Sequence, residues 1–162
     1  MKVYASLSKH DVHATSHSAT LMVQHWLTNT SRFCVSTSGD MAGNDPAGCF
    51  WGMPSIAADD PAFTKDPHNL GGDGYWRGKV WAPMIQLTHW ALLNYDHVPA
   101  VRAARKAMTK QATAMMMAQY DRNGHICENF SPQASATDCT GDTFYGWGAL
   151  AGMVSLVEHG YF

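Results

Sequence analysis

Glu128 and Glu158 are the only glutamates in a chain of 162 residues. Glutamates are ordinarily spread over helix surfaces, where they add solubility and helix propensity. Glu128 stands instead in the stretch CENFSP, residues 127–132, with Gly124 just before it and Pro132 at its end. Gly and Pro at those places read as a loop. A carboxylate held there can take a proton from water, or it can cap a turn or pair with a nearby lysine. For a generic loop glutamate the second description is the ordinary one.

The densest chemical cluster is GGDGYWRGKVWAPM, residues 71–84. It holds Tyr75, Trp76 and Trp81, one arginine (Arg77) and four glycines, just ahead of an apolar segment. Flat aromatic faces accept the C–H faces of a sugar, and an arginine binds hydroxyls or orients a carboxylate. Trp76 and Trp81 could equally be core anchors for the helix that follows, and composition does not choose between the two. Metal chemistry finds little support. Cys34, Cys49, Cys127 and Cys139 contain no CxxC pair, and His10, His13 and His17 have only Asp11 as a nearby acid. No metal and no cofactor are expected. GxSxG, P-loop and GxGxxG patterns are absent.

Four helical segments must position these residues. The first spans about Ser16 to Thr28, with Ala19, Met22, Val23, Trp26 and Leu27 on one face. The second spans about Lys79 to Asp96; Val80, Met84, Leu87 and Ala91 form its stripe, and Trp81, Ile85 and Leu92 widen it. So few polar residues interrupt it that it should be buried on most sides. The third, about Pro99 to Tyr120, is amphipathic. Val101, Ala104, Met108, Ala112 and Met115 face inward, opposite a basic row of Arg102, Arg105, Lys106 and Lys110 that reads as a solvated outer face. The Met115-Met116-Met117 run reads as core filler. The fourth, about Tyr145 to His159, carries Leu150, Met153, Val154 and Val157, while Gly146, Gly148 and Gly152 imply close helix–helix approach.

Long polar segments, residues 29–78 and 121–142, leave one end of these helices, and a short turn at residues 97–99 closes the other. That predicts a helical array with an active face and a structural face. Charge is close to balanced, at −2, so neither a nucleic-acid footprint nor a polybasic membrane contact is expected. No apolar run reaches the ~20 residues of a membrane span. Only 15% of residues are charged, while Trp numbers 6, Met 10 and Gly 14. So little polar surface predicts that part of the exterior is covered by something else.

YWRGKVWAPM before an apolar helix, then ENFSP, then GDTFYGWGAL, resembles the C-terminal part of glycoside hydrolase family 63. This is the processing α-glucosidase I and mannosylglycerate-hydrolase type of enzyme. CFWGMPSIAADDPAF upstream is similar to the family as well, and the likeness runs from about Ala19 to Tyr161. The resemblance implies an all-α fold, an (α/α)₆ barrel of which this chain would form a part of about four helices, and an inverting reaction on α-linked glucosides or mannosides. It places the general base on Glu128, followed by Asn129. It places a carbohydrate pocket on Tyr75, Trp76, Arg77 and Trp81, with Phe144, Tyr145 and Trp147 in the aromatic segment that opens the last helix. The family's general acid lies far upstream of its base. Only 127 residues precede Glu128, so the acid and the N-terminal part of the barrel are expected to come from elsewhere, leaving the isolated chain inactive. The alternative is a non-catalytic carbohydrate-binding or assembly module.

Overall fold

The third segment's periodicity translates directly into structure. In a computed structural model, which describes residues 9–29, 31–33, 53–63, 75–130, 140–143 and 146–162, the helix α3 runs Pro99–Asn123. Pro99 opens it in the first turn, where its missing N–H costs nothing. Val101, Ala104, Met108, Ala112 and Met115 are all buried, as their spacing predicts. Met116 packs against this core, but Met117 turns outward and is exposed.

Three further helices assemble around α3. α1 (Lys9–Met22) continues into a π-helical turn, Val23–Leu27, closed by Thr28 N donating to Val23 O at 2.9 Å. The wider turn changes the phase of the face. Ala19, Val23 and Leu27 are buried as expected, but Met22 and Trp26 are exposed. The Arg32 guanidinium lies 4.1 Å over the Trp26 ring and reaches Asp59 at 3.0 Å.

α2 (Ala82–Leu93) corrects a second expectation. It is not buried on most sides. Ile85, His89 and Leu92 face the core together with Trp81, whereas Met84, Leu87, Trp90 and Leu93 are exposed. α2 packs on α4 (Gly146–Glu158) and on α3, and α4 packs on α3. Among the described residues no further helix covers the second apolar face of α2. Among the described residues no helix is long and apolar enough to cross a membrane.

Between α3 and α4 lies a small antiparallel pair, β1 (Cys127–Asn129) and β2 (Thr140–Thr143). α4 reaches it closely through Gly148. A Cβ there would stand 1.8 Å from the Cys127 carbonyl oxygen and 2.8 Å from Ile126 Cγ2. Gly152 plays the same part against Met116 of α3, at 2.7 Å from its Cε. The glycines do permit close approach, but Gly148 meets a strand rather than a helix. Gly148→Ala should therefore destabilise the protein by about 1–3 kcal/mol or more. Gly146→Ala, with nothing within 4 Å of its Cβ, should be neutral. Denaturant midpoints of the two variants check this.

At the opposite end from β1 the helices are joined by charge. Arg105 of α3 is 5% exposed, which corrects its reading as part of a solvated row; Arg102, Lys106 and Lys110 do face solvent. Arg105 donates to Glu158 of α4 and, at 2.6 Å, to Asp96. Glu158 also meets Nε2 of the fully buried His89 at 3.0 Å. At Asp96, desolvation disfavours the charged form, but the Arg105 hydrogen bond and the charges of Arg102 and Arg105 outweigh it. Its carboxyl titrates below the usual aspartate range. A depressed native value contributes stability that is complete above the unfolded value, about 3.9, and is lost as pH falls through the native one. Asp96→Asn should thus flatten the fall in melting temperature between about pH 5 and pH 3, as a pH series of thermal melts would show.

Candidate active site

Glu128 is placed by a strand rather than by a loop. In β1 the side chains alternate, so Cys127 and Asn129 turn into the interior, fully buried, and Glu128 turns to the other side, half-buried. The register is irregular at this point. Cys127 pairs with Thr143 and Asn129 with Thr140, so two steps on β1 oppose three on β2. A bulge of this kind bends the strand and re-aims the side chain beside it. Cys127 is also disulfide-bonded, which ties the residue before Glu128 covalently.

The Glu128 carboxylate meets Tyr75. The phenol donates to Oε1 at 2.6 Å across 53 residues of chain. Behind the phenol stands an aromatic group. Trp76 stacks on Trp81 with centroids 3.8 Å apart and planes at 12°. Tyr75 stands edge-on to Trp81 at 4.8 Å, and Trp147 at the start of α4 meets Trp81 edge-on at 6.0 Å. Trp81 is fully buried, while Trp76 and Trp147 are 48% and 43% exposed. The two outer indoles offer open faces to a ligand and the inner one backs them.

The turn Tyr75–Gly78 is held by residues that sequence reasoning missed. Ser55 Oγ donates to Trp76 O at 2.7 Å and accepts from Gly78 N at 3.1 Å. Its backbone N donates to Lys79 O at 2.9 Å. Gly78 has φ of 135°, a conformation that only glycine adopts without strain. Val80 and Phe130 then exchange reciprocal backbone bonds, each 2.9 Å, and Pro54 bridges Val80 from the other side. This crossing registers the aromatic turn against the end of β1. The only available signal for Ser55 was its place in the CFWGMPSIAADDPAF stretch.

Among the residues expected at the site, the structure joins Glu128, Tyr75, Trp76, Trp81 and Trp147 in one cluster. Arg77 is half-buried in the same turn. Trp81 and Asn129 are fully buried, behind the more exposed Trp76 and Trp147. Phe144 and Tyr145 lie outside the described residues. No group of His, Cys, Asp and Glu suited to a metal ion occurs among the described residues.

The all-α array of the described residues is that of a glycosidase domain. The sequence matches the family of the mannosylglycerate hydrolase MGH1-like glycoside hydrolase domain over residues 12–148, and the chain belongs to that family. Its substrate class is carbohydrate. No curated protein matches the chain.

Proposed function

We propose that this chain is the C-terminal portion, residues 1–162, of an inverting (α/α)₆ α-glycosidase, and that it supplies the general base. The observation that carries the reading is the Glu128 carboxylate, held by Tyr75 at 2.6 Å beside the half-exposed faces of Trp76 and Trp147. Glu128 takes a proton from a water whose oxygen attacks the anomeric carbon. The bond from that carbon to the leaving oxygen breaks, and the leaving oxygen takes a proton from a second carboxyl, about 6.5–9.5 Å from the first in inverting enzymes. The second carboxyl comes from barrel helices other than these four. The open face of α2, with Met84, Leu87, Trp90 and Leu93, is suited to packing against them. Trp76, Trp147 and Arg77 bind the sugar, with Trp81 and Asn129 supporting from behind. The family's description favours an α-mannoside over an α-glucoside.

The isolated chain is then inactive on ordinary glycosides, because general-acid assistance contributes typically about 10²–10⁴-fold and part of the pocket is lacking. α-Mannosyl and α-glucosyl fluoride test the base separately, since fluoride departs without protonation. The chain mixed with a partner chain carrying the remaining barrel helices should release fluoride and form the β-anomer first, as early NMR spectra would show. A non-catalytic carbohydrate-binding module is the second reading, favoured by the two exposed indoles. It requires sugar binding by the chain alone and no fluoride release in the mixture.

A further inference from the structure

We propose that Tyr75 is a positioning residue for Glu128 rather than a contact to the sugar. This rests on the reading of Glu128 as the base. The phenol spends its hydroxyl hydrogen on the carboxylate at 2.6 Å, the short range of a charge-assisted bond. Its ring is edge-on to Trp81 at 4.8 Å and 83°, and to Trp76 at 5.9 Å and 86°. A tyrosine has two side-chain torsions, and these three contacts determine both. The frame behind it does not yield easily: Trp81 is fully buried, and Ser55 holds the Trp76 carbonyl at 2.7 Å. Glu128 by contrast is a half-buried side chain with three torsions on a strand bent by a bulge. A base must be held closely, because a misplacement of about 1 Å at a reacting group costs on the order of 100-fold in rate. The Tyr75 hydroxyl clamps Oε1, so that the carboxylate presents one orientation to the attacking water.

Tyr75→Phe keeps the ring contacts and deletes only the hydroxyl. The chain has just two glutamates, so labelling glutamate with ¹³C at the carboxyl carbon yields two resonances. Glu128→Gln assigns one of them by removing it. Tyr75→Phe is expected to move the Glu128 resonance and leave that of Glu158 in place. In the mixture with the partner chain, using α-mannosyl fluoride, the variant should lower kcat by about 10- to 100-fold with KM within about twofold. A raised KM with kcat intact would make Tyr75 a sugar contact and overturn the proposal. An unmoved Glu128 resonance would overturn it equally, and needs no activity to be read. Failure of the base itself shows separately, as a mixture in which Glu128→Gln stays fully active while Tyr75→Phe still moves the resonance.

Discussion

Glu128→Gln is expected to reduce hydrolysis by the complemented enzyme about 10²–10⁴-fold while leaving the fold intact. Glutamine has the same shape as glutamate, and its carbonyl oxygen still accepts the hydrogen bond that Tyr75 Oη makes to Oε1 at 2.6 Å. Only the capacity to take a proton is lost. Because fluoride needs no acid, the loss measured with α-mannosyl fluoride belongs to the base step. A second variant isolates the chemistry further. Glu128→Ala opens space at the same place, and azide, which attacks without being deprotonated, should restore turnover there and yield the β-glycosyl azide. Unaltered activity in Glu128→Gln would remove Glu128 from the mechanism and bring the binding-module reading forward. A melting curve for each variant, superimposable on that of the parent, guards against mistaking unfolding for lost catalysis.

Arg105→Ala is expected to give the largest loss of stability, about 3–5 kcal/mol. The side chains of Arg105 and Glu158 are 6% and 11% exposed, and His89 beside them is fully buried. Removing the guanidinium strands the Glu158 carboxylate in a region with little water, and an uncompensated buried charge is among the costliest single changes. The cluster spans α2, α3 and α4, so its loss loosens the joint between all three helices. It is not ideally satisfied even in the parent: Arg105 Nε and His89 Nδ1 have no hydrogen-bond partner among the described residues. Replacing both charges, as in Arg105→Met with Glu158→Leu, should accordingly recover most of the stability. Denaturant titrations of the single and double variants measure the coupling, and additive losses would deny it.

These two results differ in how far they could be read from the chain. Glu128 stands out as a candidate because glutamate is so rare here and because its neighbours resemble a family motif. Arg105 was misplaced because helical periodicity locates a residue on a face without saying what the face meets. Arg102, Arg105 and Lys106 stand at i, i+3 and i+4, so Arg105 looks like one member of a solvated row. Only the docking of α4, which brings Glu158 to α3, distinguishes it from its neighbours. α2 was misjudged for a similar reason. An apolar segment announces burial, but the degree of burial depends on how many partners are present, and the described helices cover one face, Ile85, His89 and Leu92. The strand at Glu128 was missed because three residues between Gly124 and Pro132 carry no readable alternation. Its pairing with Thr140–Thr143 is non-local.

By itself, then, the sequence determined the helices and their class. The spacing in α3 specified its inner face, the aromatic turn and the carboxylate marked a candidate site, and the family match over residues 12–148 supports the glycosidase class. Those features rest on local propensity, periodicity and motif, which travel with the chain. Only the tertiary structure decided that Tyr75 holds the Glu128 carboxylate, that Ser55 and Gly78 shape the Trp76 turn, and that Gly148 admits β1 against α4. Each joins residues far apart in the chain, and the distances that make or break them are set by packing rather than by neighbouring residues.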